Sequence, residues 1–243
     1  MTSHIYLTEH YKKLDDLKND FRNINLINLI SLKAKGSTAL DVGCGSGHLI
    51  YALGKSGMKT TGLEPIKELA NMAKERNPDS NIIEGSVEEI TSKITNKFST
   101  ITIIDVLEHV QDDIKVIQNL YNRLEDGGYL VIVVPSFPFL FSIRDVSMGH
   151  FRRYTKNDLI QKVLKSNFKI KEIRYWNMLG FLPYLIFQKL LKNPEMTDLR
   201  TSNKKNIFEK IMICLLHDWF KYVENNINFG FGLSLVCIVE KSL

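Results

Sequence analysis

Leu40-Asp41-Val42-Gly43-Cys44-Gly45-Ser46-Gly47 is the stretch on which the reading of this chain turns. A short apolar run ends in a glycine-rich turn, and a helical pattern, Gly47–Lys55, follows it. Glycines permit positive φ and let a ligand approach the backbone closely. A helix opening just after such a turn offers free N–H groups and a positive dipole end. A dinucleotide fingerprint would be GxGxxG, but here Gly47 comes one residue early and His48 stands where that motif wants glycine. Asp41, two positions before the first glycine, would repel a pyrophosphate and would suit a cationic amino-acid ligand.

Outward from this turn, strand-like and helix-like patterns alternate. Apolar runs occur at 39–42, 60–63, 81–83, 101–104 and 130–134, and helical patterns at 47–55, 65–76, 86–93 and 112–124. Gly127–Gly128 reads as the stop of the last helix. Such alternation predicts a doubly wound, mostly parallel α/β sheet whose ligands sit at the carboxyl ends of its strands. Glu64 ends the second strand, 23 residues after Asp41, where a carboxylate can accept from ribose hydroxyls. Glu84-Gly85-Ser86-Val87-Glu88 ends the third strand, and Asp105-Val106-Leu107-Glu108-His109 ends the fourth.

Asp41-Val-Gly-Cys-Gly-Ser-Gly47, Glu64, Gly85-Ser86-Val87 and Asp105-Val-Leu-Glu-His109 together resemble the cofactor motifs of class I S-adenosylmethionine-dependent methyltransferases, over residues 37–135. The resemblance implies a seven-stranded Rossmann-like methyltransferase sheet with a helical cap inserted before the last strand. It implies S-adenosyl-L-methionine as cofactor. Gly43, Cys44, Gly45 and Gly47 would wrap its methionine part with Asp41 near the ammonium. Glu64 would bind the ribose, Ser86 and Val87 would border the adenine, and Asp105 and Leu107 would lie near the methionine end. Arg22 matches a position that contacts the cofactor carboxylate in relatives.

Beyond Pro135 the rhythm changes. Residues 137–153 read as a long loop, Thr155–Asp158 as a capping box opening a helix to about Lys165, and 168–175 as a strand. Residues 178–228 are helical and apolar in patches, and 230–240 form a final strand. The expected organisation is an N-terminal helical segment (1–36), a cofactor-binding core (37–177), a helical cap (178–228) and a final strand (229–243). Gly149-His150-Phe-Arg152-Arg153-Tyr154 resembles the Gly-His-x-Arg-Arg-Tyr segment of a bacterial methyltransferase subgroup associated with surface-glycan or lipid-linked pathways. His150, with His109, is the candidate base for a hydroxyl acceptor. Arg152, Arg153 and Tyr154 are candidate substrate contacts, with arginine suited to an anion. The alternative has the arginines pairing with Asp145 or Glu108 to order the loop.

Composition bounds the rest. Of 243 residues, 44% are hydrophobic and 24% charged, ordinary for one globular α/β domain with an insertion. Residues 1–143 carry 15 Lys+Arg against 18 Asp+Glu, whereas 144–243 carry 17 against 9. That basic half points to an acidic acceptor or an anionic membrane surface met through the cap, or only to a solvated lysine face. The three scattered cysteines suggest neither a zinc site nor a disulfide framework, so no metal is expected and a cytoplasmic location is. No run of about 18 apolar residues suggests a membrane span. The acceptor is expected to be a small molecule, a glycan or a lipid-linked compound. The chain lacks an Asn/Asp-Pro-Pro-aromatic motif after the fourth strand and a basic groove with interleaved aromatics, so nucleic acid is not expected. A non-catalytic protein that binds the cofactor or a partner is the alternative, and an NAD enzyme a third.

Overall fold

The computed structural model describes residues 20–190 and 207–242. The helical pattern expected before Asp20 and the middle of the expected cap lie outside them. Helix α1 (Phe21–Lys33) begins at Asp20, whose side chain accepts from the Asn23 N–H. Then follow β1 (Thr38–Val42), α2 (His48–Lys55), β2 (Lys59–Glu64), α3 (Lys67–Arg76) and β3 (Asn81–Glu84). A short α4 (Ile90–Lys93), β4 (Phe98–Ile104), α5 (Asp113–Arg123) and β5 (Leu124–Pro135) come next. The chain continues through α6 (Ile143–Met148), α7 (Lys156–Lys165), β6 (Phe168–Trp176), α8 (Phe181–Tyr184), α9 (Ile207–Trp219) and β7 (Ser234–Lys241).

The seven strands form one sheet in the order β3-β2-β1-β4-β5-β7-β6. Strands β1 to β5 are parallel, and β7 runs antiparallel between β5 and β6. This is the Rossmann-like methyltransferase sheet that the motifs imply. Alternation along β5 shows why both faces are covered. Leu130, Ile132 and Val134 join one buried cluster with Ile117 and Leu120 of α5 and Leu159 and Val163 of α7. Tyr129, Val131 and Val133 join another with Leu26, Leu29 and Ile30 of α1 and Leu49 and Leu53 of α2. A period of two in the strand thus meets helical stripes on each side, giving three layers.

Three details depart from the sequence reading. Gly127–Gly128 does not stop α5; that helix ends at Arg123, and Leu124 turns directly into extended backbone and is buried. The two glycines fall inside β5, where the register against β4 shifts between Phe98↔Leu124 and Thr100↔Tyr129. The stretch expected to be one loop, 137–153, contains α6, because Ser142 and Asp145 close a reciprocal capping box at its start. The expected helix over 86–93 is a single 3-10 turn, Val87–Glu89, capped by Ser86, followed by α4.

The segment between β6 and β7 is tied down near its end. Phe220 is buried with its ring 5.0 Å from Trp176 and 5.7 Å from Phe21. Arg174 donates to the carbonyls of Glu224, Asn225 and Ile227, and the Trp176 indole N–H to Asn225 Oδ1. Replacing Phe220 by Ala empties an aromatic site between α1 and β6. It is expected to cost about 3–5 kcal/mol, measured by urea unfolding; a loss below about 1 kcal/mol would show that the segment is held without that ring.

Candidate active site

Two adjoining cavities open at the carboxyl ends of β1, β2, β4 and β5. The larger has a volume of about 580 Å³ and is lined by Gly43, Gly45, Glu64, Ser86, Val87 and Asp105, among others. The smaller, about 220 Å³, is lined by Arg22, Glu108, Arg144, Arg153 and Tyr184, among others. Asp105, His109, Met148 and His150 belong to both walls.

The glycine turn is shaped for this place. Gly43 has φ +75°, and a Cβ there would meet Val106 Cγ2 at 2.3 Å. Gly45 has φ +53°, and a Cβ there would meet no protein atom within 4 Å, since its open side is the larger cavity. Glu64 holds the turn from the next strand. Its Oε2 accepts from the Gly45 N–H at 2.9 Å and its Oε1 from the Ile66 N–H at 3.0 Å. Burial raises the Glu64 pKa, against the pull of those two N–H groups. Each oxygen keeps a lone pair for a ligand hydroxyl. Asp105 adopts φ +51°, uncommon for a residue with a side chain, where both cavities meet. Backbone held in this region tends to mark functional sites.

Several expected cofactor contacts lie elsewhere. Asp41 is wholly buried behind the turn, where its Oδ1 accepts from Thr102 Oγ1 at 2.6 Å, and it does not line the larger cavity. Cys44 packs under the turn, 2.7 Å from where a Cβ on Gly62 would stand. Gly47 is the left-handed N-cap of α2, closed against Ala73 and Asn77. Leu107 belongs to the core. Arg22 lines the smaller cavity rather than the larger, with Nη2 3.2 Å from Asp105 Oδ2. These residues build the turn's support instead of its surface.

On the acceptor side the loop carries one buried network. Asp145 Oδ1 lies 3.0 Å from His150 Nδ1 and accepts from Arg153 Nε at 2.9 Å. Its Oδ2 accepts from the Ser142 N–H and from the Tyr184 hydroxyl, both at 2.9 Å. Burial pushes the Asp145 pKa up, but His150, Arg153 and the Ser142 N–H outweigh it and leave the carboxyl below the ordinary range. Arg153 also donates to the Ser136 carbonyl and to Tyr184 Oη, so it is internally paired as well as lining the cavity. Tyr154 is not a substrate contact: it is buried, and its hydroxyl donates to the Leu107 carbonyl and Asp113 Oδ2. Nor does Arg152 line either cavity; it binds Asp113 Oδ2 and the Gln111 carbonyl. Loop-ordering pairs thus account for most of what the sequence offered as an anion clamp.

His109 and His150 meet edge to face, with ring centroids 4.6 Å apart. Burial and the neighbouring His150 lower the His109 pKa to about 4, so its imidazole is neutral near pH 7. Glu108 lies within 4.0 Å of His150 Nε2, and burial together with the nearby Asp105 raises its pKa well above the usual carboxylate value. Sequence reasoning missed Arg144 and Tyr184. Arg144 lines the smaller cavity and makes no ion pair among the described residues, and Tyr184 comes from a segment with no local motif.

The chain belongs to the methyltransferase domain family, whose model matches residues 12–173. It is 33% identical over 139 residues to a ubiquinone biosynthesis O-methyltransferase of Coxiella burnetii, covering 50% of this chain and 59% of that protein. It is 31% identical over 127 residues to a protein of the same name from Vibrio cholerae, covering 47% and 52%. The chain thus spans just over half the length of these relatives. Among solved structures, a SAM-dependent methyltransferase from Thermotoga maritima superposes with TM-score 0.61 at 16% identity, over 98% of this chain and 97% of the other. A TehB-like SAM-dependent methyltransferase from Corynebacterium glutamicum gives TM-score 0.59 at 16% identity, over 98% and 99%. At such identities these structures establish the shared fold.

Burial pushes the Asp41 pKa up to about 7, with the Thr102 hydrogen bond opposing it. The folded chain therefore keeps a proton that the unfolded chain releases near its ordinary 3.8. Stability from protonated Asp41 is complete below that value and is lost as pH rises to about 7. An Asp41→Asn variant cannot ionise there. Relative to the parent it is expected to gain roughly 4 kcal/mol between about pH 4 and about pH 8, read from urea unfolding of both proteins; a constant difference would contradict the assignment.

Proposed function

We propose that this chain is an S-adenosylmethionine-dependent O-methyltransferase acting on a small acceptor with a hydroxyl near His150 and an anionic group near Arg144. One observation carries the reading: the two cavities share Asp105, His109, Met148 and His150. A donor held in one can thus face an acceptor held in the other.

The residues fit the donor. Gly43 and Gly45 leave room along the turn, and Glu64 offers a buried carboxylate at the end of β2 for ribose hydroxyls. Ser86 and Val87 wall the same cavity, where an adenine would lie. When bound, S-adenosylmethionine supplies an electrophilic methyl on a sulfonium, and after transfer its sulfur keeps the electron pair of the broken carbon–sulfur bond. The chain's own contribution is alignment and proton handling. Asp145 holds His150 at Nδ1, which leaves Nε2 on the cavity side to take the hydroxyl proton as oxygen bonds to the methyl carbon. Arg144 supplies a cation for an acidic group on the acceptor. The relatives are named ubiquinone biosynthesis O-methyltransferases, which supports methyl transfer to an acceptor oxygen.

Exposed apolar side chains support a lipid-linked acceptor. Phe139 and Ile143 stand beside the site loop, Leu182 on α8, and Ile207, Phe208, Ile211 and Leu215 on α9. Together with the basic balance of 144–243, they favour contact with an anionic membrane surface. No helix among the described residues is long and apolar enough to cross a membrane.

Calorimetry with S-adenosylhomocysteine is expected to show one site. Glu64→Ala is expected to weaken it at least tenfold, about 1.4 kcal/mol; unchanged affinity would remove the basis of the reading. With labelled donor and a panel of phenolic and hydroxylated lipid acceptors, His150→Gln is expected to lower kcat about 100-fold or more with KM little changed. Tight donor binding without transfer to any acceptor would favour the non-catalytic alternative.

A further inference from the structure

We propose that Glu108, His109 and His150 bind one divalent transition-metal ion at the wall of the smaller cavity. The inference rests on that cavity being the acceptor site. It adds to how the histidines serve the site: with an ion bound they would hold a cation that acidifies the acceptor oxygen, and in the ion-free site His150 takes the proton directly.

Geometry is the first ground. One ligand atom from each residue lies within 4.8 Å of the others, and Glu108 Oε1 is 4.0 Å from His150 Nε2. Metal–nitrogen and metal–oxygen bonds of about 2.0–2.2 Å at tetrahedral angles set ligand atoms about 3.4 Å apart. Closure around an ion therefore asks the side chains to draw together by about an ångström. The perpendicular histidine rings, at 89°, let two nitrogens approach one point without stacking.

A second, independent ground is an orphaned atom. Glu108 is 1% exposed, yet its Oε2 has no hydrogen-bond partner among the described residues. A buried carboxylate oxygen left unpaired is costly, and a cation is the partner that would relieve it. A third ground is the support behind His150. Asp145 occupies its Nδ1 at 3.0 Å, the carboxylate–histidine arrangement that orients an imidazole for a metal through its other nitrogen.

The donor set selects the class of ion. Two imidazoles and one carboxylate suit zinc, manganese, iron or cobalt, whereas magnesium and calcium prefer all-oxygen sites. Because all three residues line the cavity, coordination positions face it rather than protein, as in catalytic sites. A hydroxyl bound there would lose its proton to solvent water more readily, which is the Lewis-acid role.

The test uses the full chain stripped with a chelator, then titrated with Co2+ and followed by its visible ligand-field absorption. One equivalent is expected to bind and to be displaced by Zn2+. Glu108→Gln, His109→Gln and His150→Gln are each expected to weaken Co2+ at least tenfold, and Asp145→Asn about 10–100-fold. Cys214→Ser is expected to change nothing, which separates this site from binding at that exposed thiol. S-adenosylhomocysteine calorimetry on the same samples reports the donor site and the folded state. Donor binding without a Co2+ spectrum, or a spectrum untouched by the three substitutions, overturns the metal site and leaves the methyltransferase reading standing. Loss of donor binding in the parent protein overturns both.

Discussion

The crevice exists because β1 and β4 lie side by side while their connections leave in opposite directions, β1 toward β2 and β4 toward β5. No helix can cover the gap between two departing crossovers, so the strand ends there stay open. Everything functional is arranged around that gap. The glycine turn leaves β1, Glu64 ends β2, Asp105 follows β4 and the histidine loop follows β5. The antiparallel β7 then enters beside β5 and completes the sheet, returning the chain from the segment after β6.

Two kinds of charge burial meet at this gap. Asp41 and Glu108 are carboxyls in apolar surroundings, and both are pushed toward the neutral form. Asp145 is as little exposed but is held ionised by an imidazole, a guanidinium and an N–H. The difference lies in the donors aimed at each carboxyl and in the deeper setting of Asp41 and Glu108. Asp41 is thereby a hydrogen-bonded group behind the turn, Glu108 keeps one oxygen without a hydrogen-bond partner among the described residues, and Asp145 is a fixed anion around which the loop is wound.

The sheet was legible because its signals are local: a buried run, a glycine turn and an acidic residue at the next strand end recur at spacings set by one β-α unit. The lining by Gly43, Gly45, Glu64, Ser86, Val87 and Asp105 follows from the same rule. What stayed illegible depended on depth or distance. Nothing in the residue order tells that Asp41 turns inward to Thr102, 61 positions away, or that Tyr154 reaches Asp113, 41 positions away. The run His150–Tyr154 offers three cationic or basic side chains that look alike in sequence, yet it is divided between cavity, core and outer surface. The Ser142–Asp145 capping box that sets this departure matches a readable pattern; aromatics around it masked the signal.

Tyr184 donates to the same carboxylate that orients His150, so the inserted segment and the reactive group share one atom pair of the scaffold. Insertions at this point of a sheet are where lineages diversify most freely. Here that freedom is bounded. A replacement insertion must bring its own donor to Asp145, or the imidazole loses its competitor for the carboxylate and the loop must find a new resting shape. Acceptor choice and reactivity are then inherited together rather than shuffled as separate modules.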